Sequence, residues 1–505
     1  MLSLAVRNTG KLVREKSKEA NVRLGRLFTK KASAALMADM ITLDAKKNAY
    51  TVLDPGAGTG ILSASVIEKI CKECPECKQI FLTAYESDVE FYDMLVDNLE
   101  RIRKKCRHDY GVRLYSTVYC ENYLTESKKH YTVTFFDTVP DKYDIVICNP
   151  PTELVEKTSP EAQSVGGITQ VKTSLAYLFL KLASEHTELD GQMVFTLPVT
   201  FATASALAPI RRELKERLKL TRVHLFVGKQ KNQKRAVPLK GSFFVAYKNT
   251  EEKNPVAVTT SEGEPKAGAI TVLSPLDYDF VVDSEDGSLT LPKSTEDTKI
   301  VGYINTFPET LTSLGLKMST GLVIDSRCDE MLFTDSVPGT VPLIRPAAIM
   351  GGTVQFPLPI RKQYIAPKTT NLVQKNKNMI MVKRVPSGSD DRFVNAGIYL
   401  ASQLPAYRYI STHNKINFID TKDKHGEMSA RLVFGLFALL NSTIYDRYIS
   451  IVSKSKQINS KEMKNLRLPP RNIIENIGLR LMETRQTSVT VCDQIVNPTL
   501  HIIAK

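Results

Sequence analysis

Residues 50–60 constrain the fold most, because an apolar stretch, a glycine-rich turn and a helical pattern follow one another there without a break. Residues 51–54 predict a buried strand, and residues 61–70 have the apolar spacing of a helix. Gly56, Gly58 and Gly60 allow the backbone to turn tightly and to approach a ligand closely. This order of elements is typical of βα units that bind nucleotides.

The type of nucleotide site is narrowed by the glycine spacing and by the next strand. The spacing is G-x-G-x-G rather than the G-x-G-x-x-G of dinucleotide sites, and no Gly-Lys-Ser/Thr follows, which excludes a P-loop. A second predicted strand, 80–85, ends at Glu86. A carboxylate at that strand end suits hydrogen bonds from ribose hydroxyls, although a solvated surface charge would have the same sequence.

The stretch 145–152 is an apolar strand that stops abruptly at Asn149-Pro150-Pro151-Thr152. Two prolines end the strand and fix the backbone beyond it. The Asn149 amide and nearby carbonyls then lie past the strand end, where acceptors of this kind can hold an exocyclic amine. A plain strand terminator would look similar, but the glycine turn, Glu86 and Asn-Pro-Pro in that order favour a functional site.

The first half of the chain alternates strands and helices, which predicts an α/β fold with a mostly parallel sheet covered on both faces. The predicted strands are 51–54, 80–85, 113–119, 143–148, 192–197, 221–227 and 242–247. Residues 251–290 are polar and contain Pro and Gly, which predicts a linker or excursion. Beyond them the pattern is irregular, with short strands near 341–345 and 379–383 and helices at 428–449 and 472–485.

Taken together, these motifs resemble those of the S-adenosylmethionine-dependent N6-adenine DNA methyltransferases of the gamma class, and most of all the BsuBI/PstI subgroup. The match covers about residues 20–248, with a looser resemblance beyond. Residues 25–29 resemble the segment that wraps the cofactor, and residues 121–124 fall where this family contacts the cofactor's adenine. The resemblance assigns cofactor binding to Phe28, Thr29, Asp54, Gly56, Gly58, Gly60, Glu86, Asn122 and Tyr123.

This resemblance implies a doubly wound, Rossmann-like methyltransferase domain over residues 1–250 and a mixed α+β target-recognition domain over residues 291–505. The implied reaction moves a methyl group from S-adenosylmethionine to N6 of an adenine flipped out of duplex DNA. Asn149, Pro150, Pro151 and Thr152 are the implied catalytic residues. They would act by positioning the amine, without acid–base catalysis. The setting implied is a restriction-modification or related DNA-protection system.

Two residues depart from the pattern of this family. Its fourth catalytic position usually holds an aromatic ring that stacks on the flipped base, but here it is Thr152. A second aromatic clamp is expected, and Phe226 is the candidate for it. The other departure is Asn122, where an aspartate is common; its amide oxygen can still accept a hydrogen bond from the cofactor's adenine amine.

The net charge of +14 favours a polyanionic partner, although a generally basic surface would give the same balance. Basic residues cluster after Phe226, between 361 and 384, and again between 454 and 467. Such clusters suit contacts to the phosphates of double-stranded DNA. The candidate DNA-binding residues are Lys229, Lys231, Lys234, Arg235, Lys375, Lys377, Lys383, Arg384, Lys454 and Lys456.

Eight cysteines in 505 residues indicate reduced thiols and a cytoplasmic protein rather than a disulfide scaffold. No segment has the pattern of a secretory signal or membrane span, so no membrane partner is expected. Catalysis requires no metal. A structural zinc site is an alternative to free thiols, held by Cys71, Cys74 and Cys77 with Cys106 or His108. We expect a monomer, with a cognate restriction endonuclease as a candidate further partner.

Three other functions use related motifs. N4-cytosine DNA methylation uses a similar tetrapeptide, often with serine first, and protein-glutamine methylation also uses Asn-Pro-Pro. The large basic second half argues against the protein substrate. A DNA-binding protein that keeps the fold but has impaired catalysis is the remaining alternative, and Thr152 is its only support.

Overall fold

The computed structural model describes residues 1–14, 29–130, 142–166, 172–229, 236–238, 241–263, 265, 269–385, 392–453, 457–460 and 462–501. The chain divides into two compact units, Met1–Ser294 and Thr295–Lys505. None of the described helices combines the length and the apolar character needed to cross a bilayer.

The first unit is built on a large sheet whose strands largely match those predicted. The strands of this unit are β1 (Ala49–Asp54), β2 (Gln79–Tyr85), β3 (Arg113–Tyr119), β4 (Tyr143–Cys148), β5 (Leu154–Glu156), β6 (Lys172–Ser174), β7 (Thr187–Pro198), β8 (Lys219–Lys229), β9 (Ala236–Pro238), β10 (Ser242–Lys248), β11 (Ala257–Glu262) and β12 (Ile270–Val272). All belong to the large sheet except β5 and β6, which pair with each other. The sheet has the order β12-β11-β8-β10-β7-β4-β1-β2-β3, with β9 paired to β8. All seven predicted strands are therefore confirmed.

Most of this sheet is parallel. Strands β3, β2, β1, β4 and β7 run in one direction, and β10 is antiparallel to both of its neighbours, β7 and β8. β11 is again parallel to β8. The carboxyl ends of the parallel strands therefore meet at one edge, where crossover loops place ligand-binding residues in open α/β sheets.

Helices cover both faces of the sheet, as the alternation of elements predicts. They are α1 (Leu2–Arg14), α2 (Lys31–Asp39), α3 (Ile61–Glu73), α4 (Val89–Tyr110), α5 (Tyr123–His130), α6 (Pro160–Val165), α7 (Leu175–Glu185), α8 (Ala208–Arg217) and α9 (Tyr278–Val281). Neighbouring residues of central strands point into opposite cores: Val52 and Ile147 pack with α3 and α4, whereas Leu53 and Cys148 pack with α7. This confirms a doubly wound α/β domain.

The segment predicted as a linker, 251–290, differs from that expectation. It contributes β11 and β12 to the sheet, and Val256 and Val258 are fully buried. Thr260 and Ser261 of β11 are also buried, on opposite faces of the sheet, so the strand lacks the apolar alternation that sequence reasoning relies on. The compact unit accordingly ends at Ser294 rather than near residue 250.

The second unit is mixed α+β and consists largely of short strands. These are β13 (Glu309–Thr310), β14 (Leu316–Thr320), β15 (Leu332–Phe333), β16 (Val341–Ile344), β17 (Ile349–Met350), β18 (Thr353–Val354), β19 (Tyr364–Ile365), β20 (Gln374–Lys375), β21 (Met379–Lys383), β22 (Ala396–Tyr399), β23 (Tyr409–Thr412), β24 (Ile416–Thr421) and β25 (Arg467–Leu468). A six-stranded sheet has the order β14-β24-β21-β22-β18-β17, and a five-stranded sheet the order β15-β19-β16-β23-β20.

The helices of the second unit are α10 (Thr295–Ile304), α11 (Asp325–Cys328), α12 (Ala430–Asn441), α13 (Thr443–Val452), α14 (Arg471–Thr484) and α15 (Val489–Thr499). The single helix predicted over 428–449 is in fact two, α12 and α13. They separate at Ser442, which has extended backbone angles and whose hydroxyl accepts a hydrogen bond from the Tyr445 amide. A serine in that position caps the second helix.

Candidate functional site

The candidate site lies at the carboxyl ends of β1 to β4. Strands β1, β2 and β3 pair in register, with Asp54 opposite Ala84 and Ala84 opposite Val118, so all three end at about the same level. Adjacent strands are about 4.8 Å apart. The glycine turn after β1, Glu86 after β2, Asn122 after β3 and Asn149 after β4 therefore follow neighbouring strand ends.

The glycine turn is held against the end of β2. The Ala57 amide donates to the Tyr85 carbonyl over 2.9 Å. Gly60 has a φ of +84°, and a side chain there would also come within 2.8 Å of Leu95 Cδ1. Only glycine suits this position, because it combines the left-handed conformation with close packing on α4.

Asp54 forms the buried base of the turn. The Ser63 hydroxyl donates to its Oδ2 atom over 2.6 Å, while Oδ1 has no hydrogen-bond partner among the described residues. Burial, more than any other influence, raises the pKa of Asp54 to about 7. Asp54 is fully buried, so it supports the glycine turn from within the protein rather than from a surface that a ligand can reach.

Glu86 links the turn to the end of β2. Its Oε2 atom accepts from the Gly58 amide and its Oε1 atom from the Asp88 amide, each over 2.8 Å. Burial raises the pKa of this carboxyl. A carboxylate has about four acceptor positions, so these two bonds leave others for the hydroxyls of a ribose.

Asn149 lies just past β4, and the structure brings it to Thr29, another residue that the motifs singled out. The Asn149 Nδ2 atom donates to the Thr29 hydroxyl over 3.0 Å. Its Oδ1 atom has no partner within the described part of the chain, and the side chain is half-buried. The amide is thus oriented with its acceptor available. Phe28, predicted to bind the cofactor, lies outside the described residues.

The rest of the tetrapeptide leads into a short hairpin. Pro150 is buried, Pro151 is half-buried and Thr152 is exposed. The Ser174 hydroxyl donates to the Thr152 carbonyl over 3.0 Å, and Ser174 ends β6, which pairs with β5. The backbone after Asn149 is therefore fixed by the hairpin, while the Thr152 side chain remains accessible.

Asn122 and Tyr123, predicted to contact the cofactor, are both engaged with the protein. The Asn122 Oδ1 atom accepts from the Leu124 amide over 3.0 Å, and its Nδ2 atom donates to Glu161 Oε1 over 3.3 Å. The Tyr123 side chain is 1% exposed and its ring packs against Tyr85 and Phe179. The Tyr123 ring therefore belongs to the core, away from any surface that a ligand can reach.

Phe226 lies near the carboxyl end of β8 and is half-buried. Its ring meets the rings of His224 and Phe244 edge to face, with centroids 4.9 and 5.0 Å apart. His224 is fully buried, and its two ring nitrogens bond the hydroxyls of Thr259 and Ser261 on β11. Phe226 thus stands on a rigid support, three strands from β4.

The candidate DNA-binding residues divide into two groups. Lys231, Lys234, Arg235, Lys454 and Lys456 lie outside the described residues, as does the side chain of Lys229. The others belong to the second unit. There Lys375 is exposed, with its Nζ atom 3.4 Å from His425 Nδ1, and Lys377 donates to the Gly426 carbonyl over 2.7 Å. Lys383 and Arg384 are half-buried at the end of β21.

The alternative of a zinc site is not supported. No group of three or more His, Cys, Asp or Glu side chains in the described ranges is arranged to hold a metal ion. The Cys71 and Cys106 sulfurs are 3.9 Å apart, but Cys74 bonds Tyr50 and the Asp44 carbonyl, and Cys77 bonds the Gln79 carbonyl. His108, the alternative to Cys106 as fourth ligand, is exposed and bonds Asp109 instead. The four thiols therefore do not converge.

Several supporting residues were missed by sequence reasoning. Asn98 on α4 donates to the Thr59 carbonyl over 2.9 Å and accepts from Asn8 over 2.8 Å, and Thr9 bonds the Thr59 hydroxyl over 2.6 Å. These bonds fix the turn from beneath. Buried asparagines within helical patterns were the available signal, because a buried amide requires partners.

The chain is similar in sequence to two known methyltransferases. No protein-family model matches it. It is 24% identical to the type II methyltransferase M.PstI of Providencia stuartii, over 95% of this chain and 94% of that protein. It is also 24% identical to the type II methyltransferase M.BsuBI of Bacillus subtilis, over 91% and 90%.

Among solved structures, the DNA complex of the type IIL restriction-modification enzyme MmeI aligns with 90% of this chain and 71% of its own, at 11% identity and a TM-score of 0.45. That likeness is too distant for any conclusion to rest on it. The relationship to M.PstI and M.BsuBI, in contrast, covers both units, and it confirms the resemblance to this methyltransferase subgroup that the motifs predict.

Proposed function

We propose that this protein is a site-specific DNA methyltransferase that transfers a methyl group from S-adenosylmethionine to N6 of a flipped adenine, within a restriction-modification or related system. The orientation of Asn149 carries the proposal. Thr29 holds its amide nitrogen, so that its acceptor oxygen is available beside the glycine turn. The end-to-end similarity to two type II methyltransferases supports the same conclusion.

The residues at the strand ends fit S-adenosylmethionine. The glycine turn allows close approach of a ligand, Asp54 supports the turn from beneath, and Glu86 has acceptor positions to spare. The turn, held by Asp54, would bind the amino-acid end, and Glu86 the ribose hydroxyls. When bound, the cofactor supplies an electrophilic methyl group on its sulfonium.

Asn149 and Pro150 position the substrate amine. The lone pair of an adenine N6 amine is delocalised into the ring, which makes it a poor nucleophile. Hydrogen bonds from its two N–H groups to the Asn149 Oδ1 atom and the Pro150 carbonyl would favour a more tetrahedral nitrogen. Because these acceptors are already held by Thr29 and by the proline backbone, little reorganisation is required during the reaction.

DNA binding is assigned to the basic residues of the second unit and to the segment after β8. Lys375, Lys383 and Arg384 are candidates for phosphate contacts, which orient the duplex without specifying sequence. Phe226 is the candidate for stacking on the flipped adenine. Its edge contacts with two other rings would keep it in place when the base enters.

The test is transfer of a tritiated methyl group from S-adenosylmethionine to duplex DNA and to protein in parallel, followed by nucleoside analysis. We expect the label in N6-methyladenine. Label in N4-methylcytosine or in protein would contradict the proposed substrate. No transfer by a protein that binds S-adenosylhomocysteine and DNA would instead identify a binding protein with impaired catalysis.

A further inference from the structure

The hydrogen bond between Asn122 and Glu161 connects two segments that the sequence keeps 39 residues apart. Asn122 follows β3, which ends beside Glu86 in the sheet. Glu161 lies in the first turn of α6, beyond the catalytic tetrapeptide. The bond therefore brings a carboxylate to the loop that follows β3.

The orientation of the Asn122 amide follows from both of its partners. The Leu124 amide is a donor, so it requires the Asn122 oxygen, and the Glu161 carboxylate is an acceptor, so it requires the Asn122 nitrogen. If the amide were reversed, its NH2 group would face the Leu124 N–H donor and its oxygen would face the Glu161 carboxylate. The Asn122 oxygen is thus occupied in capping α5, and the polar group at the outer end of this pair is the Glu161 carboxylate.

Glu161 is itself held in place. The Ser159 hydroxyl caps α6 by accepting from the Ala162 amide over 3.2 Å, and the Ser164 hydroxyl donates to the Glu161 carbonyl over 2.8 Å. Its side chain is half-buried. Within the described ranges its carboxylate forms no ion pair, so its charge is not neutralised by a neighbouring lysine or arginine.

We propose that Glu161, oriented by Asn122, is the acceptor that recognises the exocyclic amine of the adenine in S-adenosylmethionine. This rests on the proposed function. The loop after β3 adjoins Glu86, the candidate ribose ligand, because β2 and β3 are neighbours in the sheet and the Glu86 amide donates to the Tyr119 carbonyl over 3.0 Å. The base attached to that ribose would lie toward Asn122 and Glu161. A carboxylate accepts from an amine but repels a keto oxygen, so it would distinguish adenine from hypoxanthine.

The experiment measures the affinity of the full chain for two ligands by calorimetry: S-adenosylhomocysteine and its analogue with hypoxanthine in place of adenine. We expect the wild-type protein to prefer the adenine ligand and Glu161→Gln to lose roughly tenfold of that preference, equivalent to about 1.4 kcal/mol. The matched control is Glu156→Gln, an exposed carboxylate on β5 that pairs with Lys172. It should retain the full preference.

A second variant separates recognition from general damage. Asn122→Asp combined with Glu161→Gln keeps one hydrogen bond between the two side chains but leaves an amide at position 161, so it should still bind both ligands and should show the same loss of adenine preference as Glu161→Gln. Equal preference in wild type and Glu161→Gln, or equal losses for both ligands, would overturn the inference. Failure of the wild-type protein to bind either ligand would instead contradict the proposed function.

Discussion

The side chains at the strand ends are held mainly by backbone amides and hydroxyls rather than by charged partners. Two amides bond Glu86, a serine hydroxyl bonds Asp54, and a threonine hydroxyl bonds Asn149. Neutral partners of this kind fix the geometry of Glu86 and Asn149 without forming an ion pair, so their remaining acceptor positions stay available to a ligand. Each residue therefore has a role that a single substitution tests.

Glu86→Ala should weaken the binding of S-adenosylhomocysteine by about 1.5–3 kcal/mol, the range for hydrogen bonds to a charged group. The reason is that the ribose hydroxyls would lose their acceptor. Calorimetry measures the loss, and the thermal midpoint reports any loosening of the Gly58 turn. Glu100→Ala, on the exposed face of α4, is the control. Unchanged affinity in Glu86→Ala would rule out this carboxylate as the ribose ligand.

Thr152 and Phe226 bear on how the flipped base is gripped. If the missing ring at position 152 weakens capture, Thr152→Tyr should tighten binding to DNA with an unpaired target base, by no more than about 1–3 kcal/mol. Phe226→Ala should then be unusually damaging, because one ring alone would stack on the base. Fluorescence of 2-aminopurine at the target position measures extrusion. Phe81→Ala, which removes an exposed ring on β2, is the control.

The Phe226 assignment fails if Phe226→Ala leaves both 2-aminopurine fluorescence and turnover at wild-type values. The clamp would then have to be another aromatic residue. Phe243 and Phe244 on β10 are both buried, so either would have to move to reach a base.

Single residues also mark where sequence reasoning reached its limit. Asn149, Glu86 and the glycine turn were predictable because each stands at the end of a clear strand. Glu161 was not, because it lies in a polar stretch with no periodicity, and only the fold brings it to Asn122. Tyr123 was predicted to contact the cofactor, yet local sequence cannot distinguish a ring in the core from one at a surface.

Among the elements, those with a long periodic pattern were predictable and the short ones were not. The seven strands predicted in the first unit each have four or more residues with a consistent pattern, and all are present. Many strands of the second unit have two residues, too few to show any period. β11 was missed because its pairing with β8 depends on residues more than 30 positions away.

Helices α12 and α14 of the second unit pack with their backbones in contact. A side chain at Gly478 would come within 1.8 Å of the Arg431 carbonyl oxygen, and one at Gly435 within 1.9 Å of the Ile474 carbonyl oxygen. The atoms in contact are backbone carbonyl oxygens, which cannot rotate away as the end of a flexible side chain can. A methyl group at either position must therefore force the helices apart.

Gly478→Ala should therefore destabilise the second unit by about 1–3 kcal/mol or more, the cost of overpacking. Gly302→Ala is the matched control. Gly302 lies in α10 with no atom within 4 Å of the position of a Cβ, so alanine there should stabilise by about 0.5–1 kcal/mol. Denaturant unfolding measures both. Equal stabilities for the two variants would contradict the close packing of α12 on α14.

At the scale of the whole molecule, the two compact units suggest a division between chemistry and recognition. The proposed catalytic and cofactor residues all belong to Met1–Ser294, and the candidates for phosphate contact whose side chains the structure describes belong to Thr295–Lys505. Similarity to both curated relatives extends over the two units together. A fragment that contains the first unit alone should therefore end at Ser294.

A fragment of residues 1–294 should fold and bind S-adenosylhomocysteine but lose site-specific DNA binding. A fragment of residues 1–248 should fail to melt cooperatively, because it lacks eight of the described buried apolar side chains at about 1.5–3 kcal/mol each, comparable to the whole stability of a domain. They are Val256, Val258, Leu273, Leu276, Tyr278, Val281, Val282 and Leu289. Circular dichroism and calorimetry provide the comparison, and equal stability of the two fragments would place the boundary near residue 250 instead.

The most direct test of the central claim is the formation of N6-methyladenine in duplex DNA by the wild-type protein and by Asn149→Ala, measured by mass spectrometry alongside calorimetric binding of S-adenosylhomocysteine. Asn149 is proposed to hold the substrate amine rather than the cofactor. The variant should therefore lose methyl transfer while its affinity for S-adenosylhomocysteine stays close to that of the wild type. N6-methyladenine formation by Asn149→Ala at a near-normal rate would contradict the proposed mechanism.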